Sequence, residues 1–190
     1  MTTREIFAQF DSDPTFDALP AANGASDEAA APAEDFRGRF TTAADARQYL
    51  RAGKATVTLV SKTTGARFTY RVNVPTNRET GEPATDGTLM VSVLTGPDNT
   101  GDYQWLGRVS REIFWVGRKN PKPGEIRKDA PCAKAFAWAW QMLLRNEIPE
   151  QLEIWHEGRC GRCGRKLTVP TSVAQGFGPE CIHHVHGGLV

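Results

Sequence analysis

Apolar and polar positions change their period twice along this chain. Near residues 42–52, Ala44, Tyr49 and Leu50 fall at helical spacing, Thr41 or Thr42 can cap, and Gly53 stops the run. The period then drops to two. Residues 55–60 and 67–72 alternate around Thr63-Thr64-Gly65, the pattern of a hairpin. Residues 89–94, 103–109 and 113–116 predict three more strands, separated by polar turns. The helical period returns at Pro131, with Asp129 or a neighbour available as its cap. There Ala133, Phe136, Ala137, Trp140, Leu143 and Leu144 form a stripe running to about Asn146. Leu152, Ile154 and Trp155 add a short strand. The expected fold class is α+β: an antiparallel sheet packed by one long helix across residues 38–150, then a small zinc finger over 151–190.

Residues 1–37 do not join this pattern. Between Ala18 and Asp35 lie eight Ala and two Pro with scattered acids, too little apolar bulk to offset the entropy of ordering. Ile6, Phe7 and Phe10 at helical spacing are the exception, suited to a short docking helix. The segment predicts a disordered acidic arm. It holds eight acids and two bases, a net of −6, whereas the other 153 residues hold 21 bases and 14 acids, a net of +7. The overall charge of +1 hides this split. A moderately basic body favours polyanions, though +7 over that length is a weak field by itself.

The most apolar stretch, 135–144, contains Gln141 and is too short to span a bilayer, and no secretory core stands at the N-terminus. These features predict a cytoplasmic protein with no membrane partner. In that setting the four cysteines read as thiols or metal ligands rather than disulfides.

The chemistry concentrates in the last 35 residues. Cys160 and Cys163 are two residues apart, as are Cys181 and His184, and seventeen residues separate the pairs. A two-residue gap lets a tight turn aim both side chains at one ion, and Gly161 and Gly164 suit such a turn. Three thiolates and one imidazole would close a tetrahedral Zn2+ shell, so the expected ligands are Cys160, Cys163, Cys181 and His184. His183, His186 and His156 are substitutes for the fourth. A Cys-x-x-Cys redox centre would need a strand entering a helix in a βαβ unit, which this context lacks. A catalytic zinc would keep an open position beside a carboxylate such as Glu180 or Glu157. Cys132, at the start of the long helix, reads as a small buried residue.

The run Cys160-Gly-Arg-Cys-Gly-Arg-Lys-Leu-Thr-Val-Pro-Thr-Ser172, followed by Gly176-Phe-Gly-Pro-Glu-Cys181, resembles an uncharacterised zinc-finger family common in bacteriophages, prophages and related bacterial genomes. Its pattern is C-x-x-C-G-R-x-L-T-x-P-x-S, then G-x-G-P-x-C. More loosely, residues 40–155 are similar to fuller-length phage-type members that pair an α+β domain with this finger. The resemblance implies a treble-clef or ribbon-like zinc fold and no established activity. Within the motif, Lys166 to Val169 is expected to form a strand after the knuckle, Pro170 to Gln175 a helical turn and residues 176–179 a sharp turn delivering Cys181, with Phe177 packed over the metal as a miniature core.

A closed zinc shell is a scaffold, so function must lie on what it displays. Arg159, Arg162, Arg165 and Lys166 surround the knuckle; Arg118, Lys119, Lys122, Arg127 and Lys128 populate the loop before the long helix. If these patches share a face, they form a groove for phosphates. Trp105, Trp115 and Trp138 are candidate stacking platforms, with Trp115 expected to pack in its strand and Trp138 to stand exposed. The leading expectation is therefore a non-enzymatic protein that binds nucleic acid or a nucleic-acid-processing complex. Two alternatives stand beside it: an inhibitor of a host protein partner that uses the acidic arm and the finger surface, and a small metal-dependent enzyme. For the latter, residues 96–99 with Asp102 offer a polar loop, which backbone turn chemistry also explains.

Overall fold

The computed structural model describes residues 38–118, 120 and 122–186, with the His186 side chain outside that set. The expected acidic arm and Lys119 lie outside the described residues. The elements are β1 (Gly38–Arg39), α1 (Ala43–Arg51), β2 (Lys54–Ser61), β3 (Arg67–Asn73), β4 (Leu89–Leu94), β5 (Tyr103–Ser110), β6 (Ile113–Val116), α2 (Pro131–Leu144), β7 (Leu152–His156), α3 (Pro170–Gln175) and α4 (Pro179–His186).

The strands pair in the order β1-β7-β2-β3-β4-β5-β6, every pair antiparallel. The predicted 55–72 hairpin is β2–β3, in register from Lys54↔Asn73 to Val60↔Arg67. Alternation decides the faces. Ala55, Val57 and Leu59 of β2, Tyr70 and Val72 of β3, Leu89, Val91 and Val93 of β4, and Leu152 and Ile154 of β7 are buried on one side. The opposite side carries Thr58, Arg71, Ser92 and Trp155, all partly exposed. Leu152–His156, which opens the segment read as the zinc finger, is the second strand of the sheet.

Helix α1 starts where Thr42 Oγ1 accepts the N–H of Asp45 at 3.2 Å. It buries Ala43, Ala46, Tyr49 and Leu50, and Ala44 faces outward instead. Helix α2 is 14 residues, an ordinary length rather than a long one. Its N-cap is Ala130, with no side-chain bond, because Asp129 is engaged by Arg127. Its buried positions are Ala133, Ala135, Phe136, Ala139, Trp140 and Leu143, a broader stripe than the one predicted, with Ala137 and Leu144 at its margin. Phe136 meets Tyr70 and Phe114 with ring centroids 5.0 and 4.7 Å apart, and the Tyr70 hydroxyl donates to the Cys132 carbonyl at 2.7 Å. Cys132 is half-buried at this contact.

Candidate functional site

The segment after β7 folds against α1. The peptide N–H of Lys54 donates to the carbonyl of Gly161 at 2.7 Å, and Cys160 N–H and Arg165 C=O close the knuckle at 2.8 Å. Residues expected to form a strand after the knuckle make only an isolated bridge, Arg159↔Lys166. Residues 170–175 form the predicted helical turn as α3, ended by Gly176 in the left-handed region at φ 77°. Missed was α4: the sharp turn expected to deliver Cys181 is followed by a helix. Pro179 at its start and Glu180 in its first turn are the sequence signals that could have shown it.

These turns bring three sulfurs together. The Sγ atoms of Cys160, Cys163 and Cys181 lie within 4.8 Å of one another. Cys160 is buried, Cys181 half-buried and Cys163 at the surface. Burial pushes the Cys160 thiol up, but hydrogen bonds from the N–H groups of Cys163, Gly178 and Arg162 and from the Cys163 side chain outweigh it and bring it down to about 7. Burial, together with the neighbouring Cys163 and Cys160 side chains, pushes Cys181 up to about 11, against a pull from Arg162. Backbone N–H groups converging on a sulfur, with two more sulfurs alongside, suit a thiolate cluster around a cation. The cluster could hold a metal ion, and thiolate donors fit soft or borderline metals. A cavity of about 290 Å³ lies beside the sulfurs, with Ser172, Lys166 and Glu180 also in its lining.

No histidine joins the converging group among the described residues. His184, expected as fourth ligand, is exposed, as is His183. On α4 His184 follows Cys181 by three residues, a spacing that keeps both on one side of the helix, while among the described residues only the three sulfurs lie within reach of one another. His186's side chain lies outside the described residues. His156 is committed elsewhere. It is buried, with Nε2 2.7 Å from the Val173 carbonyl and Nδ1 accepting the Gly158 N–H at 3.1 Å. Both ring nitrogens are spent on joining β7 to α3, so it is not a ligand.

The knuckle is not a separate miniature core. Cys160, Leu167 and Phe177 belong to the same buried cluster as the sheet residues. Phe177 packs on Tyr49, centroids 5.8 Å apart, rather than over the metal site alone. Phe40 and His156 lie 5.2 and 5.1 Å from the same tyrosine ring. Gly161 and Gly176 press on it so closely that an added Cβ would lie 2.7 and 2.6 Å from Tyr49 Cδ2.

The two basic patches are not on one groove. Arg162, Arg165 and Lys166 are exposed on the knuckle beyond β7, whereas Arg118 and Lys122 follow β6 at the other edge, with β2 to β5 between. The tryptophans also differ from expectation. Trp115 is 51% exposed, on edge strand β6 and directly across from the exposed Arg108. Trp138 is partly buried against the core. Around Trp115 lies a cavity of about 740 Å³, whose lining includes Trp105, Arg108, Arg118, Arg127 and Lys128, with Asp129 the one acid. Arg127 and Lys128 belong to the basic loop patch expected from the sequence, but nothing in a loop's composition says which strand it folds back upon.

No described helix is long and apolar enough to cross a membrane. Fold and site thus define a mixed α/β protein with a three-cysteine cluster fused to the edge of an antiparallel sheet. The model of a family of unknown function (DUF6011) matches residues 154–186, from within β7 to the end of α4. No curated protein and no solved structure matches the chain.

Proposed function

We propose that this chain is a non-enzymatic nucleic-acid-binding protein whose cysteine segment is fixed by one Zn2+. Cys160, Cys163 and Cys181 would hold the ion, and the fourth position falls to α4, where His184 stands one step of three residues from Cys181. Bound there, zinc supplies a cross-link between the knuckle and α4. A cysteine segment this short buries too little surface to hold itself together alone. In this chain helix α1 shares the task through Tyr49, with Phe40 packed beside it.

One observation carries the nucleic-acid reading: four cations, Arg108, Arg118, Arg127 and Lys128, surround a half-exposed tryptophan at the β6 edge. Arg118 and Arg127 pair with Glu125 at 3.7 Å and Asp129 at 3.1 Å, both at the surface, where such pairs are weak. Arg108 and Lys128 make no ion pair among the described residues. The test is the salt dependence of binding of the full chain to a labelled single-stranded oligonucleotide. Four phosphates neutralised on a single strand give a log–log slope of about −3. A flat salt profile, or no binding at low salt, contradicts the proposal. Removing residues 1–36 takes away eight acids and one base, a net of −7, and is expected to leave binding intact or tighten it.

A further inference from the structure

The edge cavity is built by an irregularity in β5. Val91 pairs with Gly107 but Ser92 pairs with Trp105, so Leu106 is an extra residue in the strand. Without it, Trp105 and Arg108, three apart, would point to opposite faces. The bulge turns Leu106 into the core and puts Trp105 and Arg108 on the same, open face, opposite Ser92 and Met90. Register then sets Trp115 directly across from Arg108. The approach of β6 is tight: a Cβ at Gly107 would lie 2.2 Å from the Trp115 carbonyl oxygen. Two indoles and an unpaired guanidinium are thus held on rigid strands. The returning loop closes the cavity with Arg118, Arg127 and Lys128, and the Gln104 side-chain amide donates to the Gly124 carbonyl to anchor it. The Trp105 indole N–H is closed off within this wall and has no acceptor among the described residues.

We infer that this cavity takes one unpaired nucleotide, its base against Trp115 and its phosphate among Arg108, Arg118, Arg127 and Lys128. The inference rests on the nucleic-acid reading and narrows it to single strands. A duplex offers phosphates to the cations but keeps its base faces stacked, so the exposed indole gains nothing from it. An unpaired base offers a π-face to Trp115 whatever its identity. At about 740 Å³ the cavity is within the range of small-ligand sites.

The experiment compares a labelled oligothymidylate with a mixed-sequence duplex of equal length, titrated into the full chain and its Trp115→Ala and Trp115→Phe variants. The single strand is expected to bind more tightly than the duplex. Trp115→Ala is expected to weaken single-strand binding about tenfold or more and to leave duplex binding unchanged, with Trp115→Phe keeping most of the affinity. Single-strand binding that survives Trp115→Ala, or a loss equal for strand and duplex, overturns the inference while the nucleic-acid reading stands. Failure of the unmodified chain to bind either form takes down that reading and the inference together.

Discussion

The Tyr49 hydroxyl donates to the backbone carbonyl of Arg159 at 2.9 Å, one residue before the first cysteine of the cluster. Helix α1 thereby holds the cysteine knuckle by a side chain that is itself fully buried. Burial raises the Tyr49 hydroxyl well above its ordinary pKa, so it stays a neutral donor throughout the working pH range.

Tyr49→Phe keeps the ring and removes the donor. It is expected to cost about 1 kcal/mol, the usual net worth of one hydrogen bond, plus the stranding of the Arg159 carbonyl. Tyr49→Ala empties the space between Phe40, His156 and Phe177 and is expected to cost about 3–5 kcal/mol. Urea unfolding with zinc in excess measures both. Equal losses for the two variants would mean that the ring contributes nothing beyond its hydroxyl.

His156 makes stability depend on pH. Burial lowers its pKa below the ordinary imidazole value, partly offset by the bond to Val173. The sign follows from its two partners. In the fold Nδ1 must accept from Gly158, so the neutral ring is required, while the unfolded chain takes up a proton near pH 6.5. The contribution is therefore complete above about pH 6.5 and is lost as pH falls below it, at no more than about 1.4 kcal/mol per pH unit. Denaturant midpoints between pH 5 and 8 should show this fall, and His156→Gln should flatten it. An unchanged slope in that variant would assign the dependence to other groups, the cysteines first.

The β5–β6 turn carries strain that can be relieved. Arg111 and Glu112 both have positive φ, at 50° and 66°, where two-residue hairpin turns favour Asn and Gly. Arg111→Asn is expected to stabilise the chain by about 0.5–1 kcal/mol. The check is a denaturant midpoint that moves up at constant slope; a downward shift would show that the arginine side chain matters more than its backbone.

The sheet was largely legible because its strands alternate: β2 and β3 carry β-branched or aromatic residues on either side of a Gly-containing turn. Residues 38–39 form β1 through pairing with β7 alone, and two residues have no period to read. The three cysteines were legible from spacing, since a thiolate pair two residues apart depends on a local turn. The fourth ligand was not, because several histidines lie near Cys181 in sequence and spacing does not say which ring turns toward the sulfurs. Nor was the cavity around Trp115, which depends on one extra residue in β5 and on where a loop folds back. The expectation that Trp138 stands exposed failed for the same kind of reason. Its position beside the helical stripe was read correctly, but flanking contacts cover that side of α2.

The metal centre underlies the rest of the site, and elemental analysis of the purified full chain tests it most directly. One zinc per chain is expected, falling to none in Cys163→Ser. Wild-type protein that folds and carries no stoichiometric zinc would contradict the account.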